Sequence, residues 1–107
     1  MITQKLKRIS NILKSLCDNV GHYEVVKKTK KYIVWSEEVE DSSLSADDKK
    51  EEISIQGSID LYTTVEFDEL IDELAEALTV NEIGWELASV QYEDATGYIH
   101  YEFIWRV

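Results

Sequence analysis

Between Ser54 and Val107 the chain reads SIQGSIDLYTTVEFDELIDELAEALTVNEIGWELASVQYEDATGYIHYEFIWRV, where a period of two gives way to a helical period and then returns. Ile53, Ile55, Gly57, Ile59 and Leu61 alternate with Ser54, Gln56, Ser58, Asp60 and Tyr62, which is the pattern of a half-buried strand. Gly57 in its middle marks a bulge or a place where another group comes close. Thr63 followed by Glu66 has the form of a capping box, and Phe67, Leu70, Ile71, Leu74 and Leu78 then recur at helical spacing. The opposite side of that helix is acidic: Asp68, Glu69, Asp72, Glu73 and Glu76. Two strands follow, near 84 to 93 and 98 to 107, joined by Asp94, Ala95, Thr96 and Gly97. In the last one Ile99, Tyr101, Phe103, Trp105 and Val107 share a face, and a slip of one residue would expose three aromatic rings. Strand, helix and hairpin therefore close on one core, and their order restricts the chain to an α+β architecture.

The first half completes that core. Ile2, Leu6, Ile9, Leu13 and Leu16 define one face of an amphipathic helix over about 2 to 18, and Asn19 to Gly21 end it. HYEVVKK (22–28) and KYIVWSE (31–37) are rich in β-formers and predict a hairpin around Lys28, Thr29 and Lys30. Residues 38–52 (EVEDSSLSADDKKEE) lack a buried face and predict an exposed acidic loop within a single domain spanning 1–107. The expected fold is a single mixed or antiparallel sheet of about five strands with two helices packed on it, in the order α-β-β-β-α-β-β. Proline is absent, so no strand edge is blunted by it.

The net charge of -11 is unevenly spread. Residues 1 to 31 carry eight Lys or Arg against two carboxylates, whereas the rest carry three against twenty. Nucleic acid is disfavoured as the main partner by the overall sign. An acidic helix without lysine lacks the i+4 pairs that neutralise a solvated face, so its carboxylates form either a solvated face or a docking face for a basic partner. Lys27, Lys28, Lys30 and Lys31 on one copy against Asp68, Glu69, Asp72, Glu73 and Glu76 on the next form the expected subunit interface.

Catalytic chemistry is not legible. There is no glycine-rich phosphate loop, nucleophile elbow or HExxH helix. The lone Cys17 excludes an internal disulfide and a thiolate zinc cluster, suits a reducing cytoplasm, and reads as a small buried hydrophobe. His100, with Glu102 on the same side, reads as a cross-strand histidine. The acids of 37 to 52 lack EF-hand spacing. We expect no catalytic, cofactor-binding or metal-ligating residues, and a protein that is not an enzyme. No secretory signal or membrane-spanning tract is evident.

KYIVWSE, the acidic stretch with ADDK before SIQGSIDLYTT, and GWELASVQYEDATGYIHYEF together resemble the tail terminator, or tail-completion, proteins of long-tailed bacteriophages and prophages. The similarity covers residues 31 to 107, with a strand of the form V-x-I-D-L-Y-T before the helix and an aromatic, His-containing last strand. The resemblance implies a homo-oligomeric ring, typically of six copies, at the head-proximal end of the tail. It would stop growth of the tail tube protein and dock head-completion or connector proteins. Charge, and not the resemblance, suggests loop 38–52 as a contact along the tube or connector. The resemblance implies assembly in the bacterial host cytoplasm and a final place in the virion tail. The alternative is a small acidic inhibitor or DNA mimic that blocks a nucleic-acid-processing enzyme.

Overall fold

The computed structural model describes residues 2–25, 27–40 and 54–107, with side chains given up to Glu38 in the middle stretch. Helix α1 spans Ile2–Leu16, strand β1 Val20–His22, β2 Lys31–Glu40 and β3 Ile55–Thr63. Helix α2 spans Leu70–Val80, and β4 (Gly84–Glu93) and β5 (Tyr98–Arg106) form the closing hairpin. The five strands make one sheet in the order β1-β2-β3-β5-β4. The α+β order expected from the sequence is thus the order observed. Most of the acidic segment 38–52 falls outside the described residues, but its first three belong to β2.

All neighbours in the sheet are antiparallel except β1 and β2. This corrects the hairpin expected over 22–28 and 31–37, since β1 is short, begins before His22 and runs parallel to β2. Lys28, Thr29 and Lys30 carry no turn chemistry, and a different set of contacts directs the chain. Tyr23 takes a left-handed φ of 73° and bends the backbone off the sheet. The chain folds so closely over Gly21 that a Cβ there would lie 1.9 Å from the Glu24 carbonyl oxygen. Asn19 then pins the returning segment, its Nδ2 donating to the Lys27 carbonyl at 2.7 Å and to Thr29 Oγ1 at 3.0 Å.

The core lies between the helices and one face of the sheet. Ile9 and Leu13 of α1 and Leu70, Leu74 and Leu78 of α2 meet Ile33 and Trp35 of β2, Ile59 and Leu61 of β3, and Phe103 and Trp105 of β5. Cys17 is a buried member of this cluster, as its sequence context suggested. Its thiol donates to the Asn19 carbonyl at 3.7 Å. Cross-strand pairs Trp35–Ile59 and Ile59–Phe103 carry the apolar row across three strands.

The helices do not cover the whole sheet face. An 11-residue helix is about 16 Å long, whereas a ten-residue strand runs about 34 Å. The indole of Trp85, at the start of β4, still reaches α2 and donates to Thr79 Oγ1 at 2.9 Å. Farther along β4, Val90 and Tyr92 are 53% and 65% exposed, although their partners Tyr101 and Ile99 belong to the helix-bearing face.

Helix α2 ends at Asn81 and Glu82, with Glu82 at φ 60°. The Ile83 amide reaches back to the Leu78 carbonyl at 2.9 Å and the Glu82 amide to Thr79 at 3.0 Å, the bonding of a Schellman stop. Glycine is the residue that takes this backbone without steric cost. Glu82→Gly is therefore expected to raise stability by about 1 kcal/mol. A urea titration checks it, and a lowered midpoint would count against the left-handed assignment.

Candidate functional site

The loop between β3 and α2 is held by a closed set of polar contacts. Thr63, fully buried, accepts the Val65 amide on Oγ1 at 3.1 Å and donates its hydroxyl to Asp68 Oδ2 at 2.7 Å. The other Asp68 oxygen accepts the Leu70 amide at 2.9 Å, and its carbonyl takes the Ile71 amide at 3.3 Å. Lys31 Nζ lies 3.0 Å from Asp68 Oδ2, and the Thr64 amide donates to the Lys30 carbonyl at 3.0 Å. Burial opposes ionisation of Asp68, but the Leu70 amide, the Thr63 hydroxyl and the Lys31 ammonium outweigh it and hold its carboxyl below the usual value.

Two expectations are corrected here. The capping box of Thr63 and Glu66 does not form; Asp68 caps the helix instead, because its side chain sits two residues before the first free amide. Phe67, expected in the core, is 87% exposed at φ 60°. Asp68 draws the chain inward at the next position, and the left-handed turn before it sends the ring out. The sequence held one signal for this, an Asp directly ahead of Glu69 and Leu70, which competes with Thr63 as helix cap.

The expected interface residues separate into two groups. Lys31 and Asp68 meet within one chain, so the acidic helix side does have one internal partner. Lys27, Lys28 and Lys30 are exposed on the return loop, and Glu69, Asp72, Glu73 and Glu76 are exposed on α2. Among the described residues, no ion pair joins a lysine of this second group to one of its carboxylates.

The sheet face away from the helices carries an aromatic stack. Tyr32 and Tyr62 stack at 4.7 Å between centroids, and Tyr62 stacks on His100 at 4.3 Å. Tyr98 sits edge-on to both tyrosines. His100 Nε2 and Asp60 Oδ1 are 2.7 Å apart across the strands, which is the cross-strand role expected for this histidine. Desolvation, reinforced by Tyr62, Tyr98 and Glu93, pushes the Tyr32 phenol up to about 12, and burial with Asp60 nearby raises Tyr62 as well. These hydroxyls stay protonated at any ordinary pH and supply neither nucleophile nor base.

At the far edge His22 lies between the rings of Tyr23 and Trp35, each 4.0 Å away. Glu37 accepts the Tyr23 hydroxyl and pairs with His22 Nε2. Among the described residues no group of three His, Cys, Asp or Glu is arranged to hold a metal ion. None of their helices is long and apolar enough to cross a membrane. In comparisons with known proteins, the chain matches no family model and no curated protein.

The exposed large apolar side chains include Phe67 and Val65 on the capped loop, Val80 at the end of α2, and Trp85, Leu87, Val90 and Tyr92 along β4. Sequence reasoning counted Phe67 as core and did not foresee that β4 is an edge. A projecting aromatic ring and an open strand edge are features common at protein–protein contacts.

Proposed function

We propose that this chain is a non-enzymatic assembly subunit of the phage tail-terminator type. Copies form a ring, of six by analogy with that family, at the head-proximal end of the tail, between the tail tube protein and the head-completion proteins. Phe67 carries the reading. Its ring is 87% exposed on a backbone that costs about 1–2 kcal/mol for a bulky side chain, and buried contacts to Asp68 and Thr63 hold it there. The backbone beneath the ring is already held, so docking has little main chain to order, which suits an interface anchor.

Charge supports the same reading. The exposed Lys27, Lys28 and Lys30 and the exposed Glu69, Asp72, Glu73 and Glu76 suit a heterologous contact, in which one surface meets a different surface on the next copy. Lys31 and Asp68, already paired in the chain, position the loop rather than bridge subunits.

Light scattering over a concentration series at low salt tests the ring. A particle of about six chain masses that falls apart as salt rises is the expected result. A chain that never exceeds a dimer at millimolar concentration and low salt overturns it. Phe67→Asn isolates the anchor, because asparagine accepts φ 60° more readily than phenylalanine. The variant should melt no lower than the parent and yet lose the ring. An unimpaired ring would remove Phe67 from the interface.

A further inference from the structure

Strand β4 contains Trp85-Glu86-Leu87-Ala88-Ser89-Val90-Gln91-Tyr92. From either end towards the middle, this run gives an aromatic, a polar, an aliphatic and a small residue. Laid antiparallel against a copy of itself about the Ala88–Ser89 bond, Trp85 faces Tyr92, Glu86 faces Gln91 and Leu87 faces Val90. The strand is complementary to itself in one register.

Its side chains meet the condition that such pairing imposes. Trp85 and Leu87 lie opposite Trp105 and Phe103 of β5, and Val90 and Tyr92 lie opposite Tyr101 and Ile99. All four therefore belong to the helix-bearing face. They share it only because the register shifts between Leu87 and Ser89, where β4 holds one residue more than β5. Such a bulge would put a regular partner strand out of phase. Against its own copy, insertion meets insertion and the phase is kept.

The edge is also open. β4 has β5 on one side and no described strand on the other, and it contains neither proline nor lysine. Of its ten residues only Ser89 and Glu93 are half-buried, and the other eight are exposed. In the self-pairing no carboxylate directly faces another, since Glu86 meets Gln91 and Glu93 meets Gly84.

We propose that the free subunit dimerises through β4. A twofold axis normal to the sheet joins the two β4 strands antiparallel, makes one continuous sheet, and keeps both helix layers on the same side. Trp85 and Leu87 of each copy then pack on Tyr92 and Val90 of the other, covering the part of β4 that α2 is too short to reach. The contact is isologous and closes at two copies. It is separate from the heterologous ring contact and does not depend on it.

The decisive measurements are mass and register. Sedimentation equilibrium should give a dimer that persists at high salt, because the contact is apolar. Val90→Lys, at a position already 53% exposed, should leave the monomer folded and raise the dimer Kd by at least about 100-fold. In a Cys17→Ser background, Leu87→Cys with Val90→Cys should oxidise to a covalent dimer, since directly opposed Cα atoms lie within disulfide range. Glu86→Cys with Val90→Cys opposes no two thiols and should not. A monomer at every concentration, a dimer indifferent to Val90→Lys, or equal cross-linking by both cysteine pairs would each overturn the proposal.

Discussion

Gly57→Ala is expected to remove a large share of the folding free energy. Gly57, the third residue of β3, lies between Glu37 of β2 and Trp105 of β5. A Cβ placed there would lie 2.1 Å from the Ser36 carbonyl oxygen and 2.5 Å from the Trp105 ring. The carbonyl belongs to the sheet and cannot yield without breaking the β2–β3 register. The ring cannot yield easily either, because Trp105 is fully buried and its indole N–H donates to the Ser58 carbonyl at 3.1 Å. One methyl group therefore displaces the largest buried side chain, and the cost approaches that of removing a core tryptophan, about 3–5 kcal/mol. That is a large share of what a domain of this size has to lose. Urea denaturation followed by tryptophan fluorescence measures it; a loss below about 1 kcal/mol would show that the indole does not rest on Gly57.

The second large effect belongs to Asp68. Its side chain is 6% exposed and serves Thr63, Leu70 and Lys31 together. Asp68→Ala removes a helix cap, leaves a buried hydroxyl without its acceptor and frees an ammonium that is already 41% exposed. The cap is worth about 1 kcal/mol and the buried hydroxyl about 1–3 kcal/mol, while Lys31 can rehydrate at little cost, so the expected loss is about 3 kcal/mol. The same carboxylate gives an acid dependence of definite sign. Its folded pKa lies below the unfolded value, so its contribution is complete above the ordinary carboxylate pKa of about 3.9 and is lost as pH falls through the folded pKa. Asp68→Asn should start lower in stability and lose less between pH 5 and 2. An identical acid limb in parent and variant would mean that other carboxylates set it.

Much of this fold is legible because period is a direct record of burial. The hairpin of β4 and β5, the alternation of β3 and the stripe of α1 each follow from side chains that must share one face. Gly57 was also legible as a site of close approach, since glycine weakens a strand unless something needs the space. The direction of β1 was not legible. Parallel and antiparallel pairing both place Val20 and His22 on one side of a three-residue strand, and the choice falls to Tyr23 and to Asn19 bonds that reach eight and ten residues ahead. Phe67 was misread because helical spacing continues through it, whereas the cap that ends the spacing is set by a hydrogen bond from Asp68. The exposure of β4 depends on strand order and on the short length of α2, and neither is a property of β4's own residues.

In the dimer proposed above, the opposite margin of the sheet would supply the stopping rule. There β1 offers only three residues, and beyond it β2 presents Glu37 and Glu38. A sheet with one adhesive margin and one inert margin behaves like a monofunctional monomer in polymer chemistry. Two such sheets would join and add no third, apart from any ring contact elsewhere on the subunit, so a long strand could stay open in this proline-free protein without the sheet growing into a fibre.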